Sequence, residues 1–156
     1  MIVSRAEHAG AGTKLYIHIK QDLGSVFAVA PNTSKLTYLF TDHHDADGTI
    51  LIGFGVDPKI LDVNDIEDVQ QAVGEYFPQA EVLEAFGYQW NVDPYSRGTW
   101  CTLRPTHTTK YLAGLQAAEG NIHFCGGDVA NGWRGFIDGA VESGQRVGRD
   151  VVKQLA

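Results

Sequence analysis

The sequence predicts an α+β chain: an antiparallel sheet with a helix, followed by a closing strand–helix unit that faces a ligand. Three observations carry this. Short apolar runs alternate with turn-rich pieces through the first half, at a spacing that suits hairpins or a meander. An amphipathic segment, about Asn64 to Tyr76, follows them. Near the end an apolar run, Ile122 to Cys125, stops in Gly126-Gly127-Asp128 before an aromatic-glycine loop and a long helical pattern.

Lys14 to Lys20 (KLYIHIK) alternates polar and apolar residues in the period-2 manner of a half-buried strand. Val26 to Ala30, Lys35 to Thr41 and Ile50 to Phe54 read as further strands. Asp22-Leu23-Gly24, Pro31-Asn32-Thr33-Ser34 and Asp45-Ala46-Asp47-Gly48 supply the turns between them. In the Asn64–Tyr76 helix, Ile66, Val69, Val73 and Phe77 share the buried face. Asn64 can cap it, Asp65, Glu67 and Asp68 suit the positive end of its dipole, and Pro78 stops it. Glu81 to Gln89 returns as a strand ending near Trp90. After the Asp93–Trp100 loop, a Thr-Pro-rich passage leads to a short helix around Lys110 to Ala118, closed by Gly120-Asn121.

A strand that ends in glycines before a helix N-terminus lets backbone N–H groups approach an anionic or polar ligand. In the final helix Ile137, Val141, Gly144, Gly148, Val151 and Leu155 fall on one face. Ala140, Gly144 and Gly148 leave that face almost bare, as close helix packing or close cofactor approach requires.

At 156 residues the chain is one ordinary domain, or two small ones sharing a core. A net charge of −7 argues against nucleic acid or an anionic membrane as partner. No apolar run approaches the roughly 20 residues that span a bilayer. The first ten residues, MIVSRAEHAG, lack the pattern of a signal peptide. Two cysteines, Cys101 and Cys125, make no disulfide framework, so a reducing cytoplasm is expected. Asp42-His43-His44-Asp45-Ala46-Asp47 reads as a solvated hairpin loop, since consecutive residues in a turn lack the spacing of a metal-ligand set. No GxSxG elbow, P-loop, HExxH or CxxC is present, which leaves hydrolase, phosphotransfer and zinc-protease readings unsupported.

Two blocks resemble the C-terminal signature of the flavin-containing amine oxidases, the monoamine and polyamine oxidase family. One comprises Phe124, Gly126, Asp128, Trp133, Gly135, Phe136, Gly139, Ala140 and Gly144; the other runs from Trp90 through Asp93-Pro94-Tyr95-Ser96-Arg97-Gly98-Thr99-Trp100. The resemblance implies that residues 1–88 correspond to the family's substrate-binding domain. Residues 89–156 would then be the closing strand–helix part of its Rossmann-like FAD-binding domain. The strand–GxGxxG–helix unit that holds the FAD pyrophosphate has no counterpart. Gly10-Ala11-Gly12 precedes a strand, and Gly53-Phe54-Gly55 runs into Val56-Asp57-Pro58. The chain is therefore read as the C-terminal part of an amine oxidase. A separate N-terminal chain carrying the missing motif and self-association are its expected partners beyond a small-molecule amine. The rival reading is a non-catalytic fragment kept as a binding or assembly module that does not hold FAD on its own; a small FMN-type or ligand-carrier domain has only the glycine-rich turn in its favour.

The same resemblance implies site roles. Lys14, otherwise an ordinary solvated strand-end lysine, would reach the flavin N5 through water and handle protons or oxygen, with desolvation lowering its pKa. Trp100 and Phe136, otherwise ordinary core aromatics, would stand face to face as a cage orienting the amine. Both family positions are commonly tyrosine, so this pair keeps the walls without the hydroxyls. Trp90 would pack near the ring. Thr99 stands where some members carry a flavin-linked cysteine and has no thiolate, which makes the implied FAD non-covalent. Gly126, Gly127, Asp128, Trp133, Gly135, Phe136 and Ile137 complete the cofactor-binding set, with Asp128 in place of the usual glutamate. No metal is implied. Backbone donors from Gly135 to Asp138 would face the flavin's pyrimidine oxygen.

Overall fold

A computed structural model describes residues 10–156. Met1 to Ala9, most of the segment read for a leader, lie outside the described residues. The chain divides into two compact units, one spanning Ala11–Thr99 and one containing Trp100–Ala156.

The first unit is a five-stranded sheet with a helix on one face. Its strands are β1 (Thr13–Ile19), β2 (Phe27–Val29), β3 (Tyr38–His44), β4 (Thr49–Gly55) and β5 (Val82–Gly87), in the spatial order β2-β3-β4-β1-β5. Every neighbouring pair is antiparallel. The alternation in KLYIHIK sets the faces: Leu15, Ile17 and Ile19 are fully buried while Lys14 and Tyr16 point the other way. Leu39 and Leu51 join the buried face, which packs against Val69, Ala72 and Val73 of helix α1 (Ile66–Gly74). Gly53 belongs to this layer because a Cβ there would come within 3.1 Å of Leu36 and 3.2 Å of Leu15.

Three details differ from the sequence expectation. The cap of α1 is Asp65, whose carboxylate accepts from Glu67 N at 3.0 Å. Asn64 is instead held by Asp62, which accepts its backbone N–H at 3.0 Å. His43 and His44 belong to β3 and not to the hairpin loop, the turn being closed by Asp45 N donating to Gly48 O at 3.1 Å. The unit also extends past Tyr88, because Asn91 ties back to the start of β1 by accepting from Gly12 N and donating to Gly12 O.

The second unit holds α2 (His107–Gln116), a 3-10 turn at Gly127–Val129 and the long helix α3 (Ile137–Leu155). The expected strand Ile122–Cys125 does not form: Ile122 makes one isolated bridge with Glu119, and no strand among the described residues pairs with the rest. A strand needs a neighbour for its N–H and C=O groups, and the described residues of this unit supply none. The face of α3 that packs is also not the one expected. Gly139 and Ser143 are its buried residues, whereas Ile137, Val141, Val152 and Leu155 are exposed. Small side chains permit the close approach: a Cβ on Gly139 would run into Trp133 O and lie 2.9 Å from Ala130 Cβ.

Candidate active site

Pairing in the first unit builds a second, outward face on the sheet. Phe27 pairs with Phe40, Phe40 with Ile52, Ile52 with Tyr16, and Tyr16 with Phe86, so one row crosses all five strands. A second row joins Tyr38, Phe54 and Lys14. Neighbouring rings touch, Phe27 on Phe40 at 5.9 Å and Phe40 on Phe54 at 6.1 Å between centroids. Phe27, Tyr38, Phe54, Tyr16 and Phe86 are all substantially exposed, Phe86 by 76%. An exposed aromatic sheet face of this extent marks an interaction surface. The sequence reading did not single it out, although the outward positions of the alternating strands carry it.

Lys14 lies on this face and is exposed. Its Nζ sits 3.5 Å from Tyr16 OH, and 5.1 and 5.7 Å from the Tyr16 and Phe54 ring centres. The ammonium is thus held over two rings in cation–π geometry. Trp90 is half-exposed and meets Tyr88 edge-on at 4.6 Å. The loop after it is organised by Asp93, which accepts from Ser96 N, Tyr95 N and Tyr88 OH. These bonds, the Ser96 N–H first, hold its carboxyl below the usual carboxylate range. Thr99 is exposed at the end of that loop.

In the second unit Trp100 and Phe136 are in contact, with ring centroids 4.8 Å apart and planes at 75°. The two rings meet edge to face here, not as the parallel walls the resemblance implies, and Trp133 stands against Phe136 at 5.8 Å and 89°. Gly135 makes the Trp100 position available: its φ of +83° suits glycine, and a Cβ there would collide with the indole. Trp133 itself adopts φ +47°, a strained backbone for a non-glycine residue of that size.

The loop beneath is clamped to α3. Buried Ser143 Oγ accepts from Gly126 N at 2.8 Å and donates toward Gly126 O at 2.9 Å. Gly135 N donates to Gly127 O, and Phe136 N to Trp133 O, both at 3.1 Å. Those two donors are therefore used within the loop. The next three, on Ile137, Asp138 and Gly139, find no acceptor among the described residues, and Phe136 offers no side-chain cap. They form a cluster of N–H groups at the positive end of a 19-residue helix. Asp128 is exposed in the 3-10 turn, and its charge adds to burial in pushing the Cys101 thiol up, against the opposing effect of Arg134. The resemblance placed Asp128 but gave no sign of the Ser143 clamp.

Among the described residues no cluster of His, Cys, Asp or Glu could hold a metal ion, and no helix is long and apolar enough to cross a membrane.

Comparison with known proteins converges on one family. Residues 4–152 match the flavin containing amine oxidoreductases. The chain is 52% identical over 151 residues to pseudooxynicotine dehydrogenase of a Pseudomonas species, covering 95% of this chain and 30% of that enzyme. It is 46% identical to nicotine dehydrogenase of Pseudomonas putida, covering 92% of this chain and again 30% of the enzyme. The (S)-6-hydroxynicotine oxidase of Paenarthrobacter nicotinovorans is 30% identical over 88% of this chain and 32% of its own length. The chain thus spans about a third of the length of these relatives. A structure of putrescine oxidase bound to putrescine shares the fold at a TM-score of 0.70 and 19% identity, covering 92% of this chain and 35% of that one. The chain belongs to the flavin-containing amine oxidoreductase family.

Proposed function

We propose that this chain is the C-terminal part of a flavin-dependent amine oxidase or dehydrogenase whose substrate carries a pyridine ring beside the amine. The observation that carries the reading is the aromatic outer face of the sheet, with Phe40, Tyr16 and Phe86 in one row across the strands and Phe54 in the row beside it. Flat, apolar rings of this kind suit an aromatic heterocycle, and three relatives are named for nicotine, pseudooxynicotine and 6-hydroxynicotine.

The residues of the second unit fit a flavin. The three unpartnered N–H groups of Ile137, Asp138 and Gly139 match the acceptor edge of a flavin pyrimidine, where they would stabilise negative charge on the ring. Gly126 and Gly127 keep the neighbouring loop free of side chains, Asp128 and Trp133 flank it, and Trp90 offers an exposed indole in the first unit. Thr99 has no thiolate, so the implied FAD is non-covalent. When bound, a flavin would supply a two-electron acceptor for the C–H beside the amine, so that the amine is oxidised to an imine that water hydrolyses. Lys14 Nζ holds protons at a defined point on the aromatic face, and Trp100 and Phe136 present an edge and a face that limit how an amine can lie. The N-terminal residues that bind the FAD pyrophosphate would come from elsewhere in the enzyme, on this chain or a partner.

The test uses the full-length enzyme loaded with FAD and mixed anaerobically with nicotine, pseudooxynicotine or putrescine. The pyridine amines are expected to bleach the flavin band rapidly and putrescine slowly; bleaching by putrescine alone would contradict the substrate class. Acid precipitation should release the flavin into solution, whereas flavin retained in the pellet would overturn non-covalent binding.

A further inference from the structure

The second unit contains a cavity of about 280 Å³ lined by Gln116, His123, Arg146, Asp150, Lys153 and Gln154, among others. It is formed between the end of α2, the segment at His123 and the C-terminal half of α3. None of the site residues described above lines it.

Arg146 is the unusual member. Its Nε and Nη2 are shielded from solvent and have no hydrogen-bond partner among the described residues. Those two nitrogens form one side of the guanidinium, the pair of parallel N–H groups that grips both oxygens of a carboxylate or phosphate. A buried cation with its fork unsatisfied is costly, and an arginine always carries its charge. Nearby, Lys153 adds a second permanent cation, and His123 is steadied by Gln154 at 3.1 Å. Asp150 is the acid among the lining residues, so the permanent cations outnumber it in a chain whose net charge is −7.

We propose that this cavity is an oxyanion site, in which the Nε/Nη2 fork of Arg146 turns into the cavity and takes a carboxylate or phosphate group bidentately, with Lys153 as second contact. The shared chemistry admits two sources: a free small anion, or a carboxylate side chain from the remainder of the enzyme. The proposal requires a rotation of the Arg146 side chain, which is itself among the residues lining the cavity.

Thermal unfolding of this chain is measured with increasing inorganic phosphate or acetate, against sodium chloride at matched ionic strength. A saturable rise in Tm of a few degrees is expected with phosphate or acetate and not with chloride. Arg146→Gln should abolish it, and Lys153→Gln, at an exposed helix position, should weaken it several-fold. The arginine Nε–H NMR signal of Arg146 should shift along the same titration curve, which keeps the test valid if Arg146→Gln folds poorly. The full-length enzyme separates the sources: the same rise there means a free anion, and loss of the response with the Nε–H signal already at its bound position means an internal carboxylate. No saturable effect on this chain and an unmoved Nε–H signal would overturn the proposal, as would an undiminished effect in Lys153→Gln and Arg146→Gln. None of these readouts depends on amine oxidation, so their failure would leave the proposed function standing.

Discussion

The two units of this chain solve burial differently. The sheet unit closes its own core: the packed cluster runs from Leu15 through Leu39 and Leu51 to Val69, Val73 and Ala80, all nearly inaccessible. The second unit has little of this. Among the described residues its buried side chains are Ala130 and Ser143, while Ile122, Trp133, Ile137, Val141, Val152 and Leu155 stand more than half exposed. Its cohesion comes from glycine contacts and from polar clamps such as Ser143 on Gly126 and Gln116 on Val129 O. One region is a scaffold that stabilises itself. The other is a set of loop donors and aromatic rings presented for something else to cover.

Substitutions can break this contrast at graded cost. Leu51→Ala, in the fully buried layer of β4, should destabilise by about 2–5 kcal/mol in urea unfolding. Val141→Ala on the exposed side of α3 should change stability by no more than about 0.5 kcal/mol, and a comparable loss would mean that α3 is packed after all. Gly135→Ala should cost about 1–3 kcal/mol, since alanine resists φ +83° and its methyl group must displace Trp100 from Phe136. The near-ultraviolet circular dichroism of the tryptophan bands reports that displacement; an unchanged spectrum would mean the indole has another way to sit.

A smaller effect belongs to the sheet unit alone. Lys35 donates to the Asp68 carboxylate, which also accepts from Asp62 N at 2.8 Å, and these bonds hold the Asp68 carboxyl below its ordinary value. A depressed folded pKa gives stability that is present above the unfolded value of about 3.9 and lost as pH falls through the folded one. Asp68→Asn should therefore cost about 1 kcal/mol near neutral pH and progressively less below about pH 4. The urea midpoint of the two proteins against pH checks the sign; a gap that widens in acid would contradict it.

Much of the sheet unit was legible because period-2 alternation is local. KLYIHIK alone assigns Leu15, Ile17 and Ile19 to one face and Lys14 and Tyr16 to the other. What alternation cannot state is which strands become neighbours, so the row of rings from Phe27 to Phe86 emerged only with the register. The cap of α1 moved from Asn64 to Asp65 because Asp62 competes for Asn64, a contest invisible to a preference for capping residues. In the second unit the family signature located Trp100 and Phe136 together, since short motifs mark positions well. It did not give their edge-to-face angle, which is a matter of three-dimensional packing around Phe136, where Trp133 also stands. Helical periodicity picked out the apolar stripe of α3, yet the helix packs on Gly139 and Ser143 instead, and nothing among the described residues of this unit covers the stripe.

Lys14→Met tests the smallest change in the fold and the most specific one in the proposed chemistry. Exposed on the outer sheet face, its loss should leave the urea midpoint nearly unmoved, within about 0.5 kcal/mol. In the flavin-loaded full-length enzyme it should slow one flavin half-reaction markedly while substrate affinity is comparatively unaffected. Unchanged reduction and reoxidation rates would return Lys14 to an ordinary solvated lysine.

Amide hydrogen exchange on this chain tests the contrast between the units most directly. The account predicts that β1, β4 and α1 exchange only through near-global unfolding, while the amides after Asn121, including those of α3, open at far lower free energy. Protection of α3 equal to that of β1 would contradict it, showing that the second unit completes a core of its own.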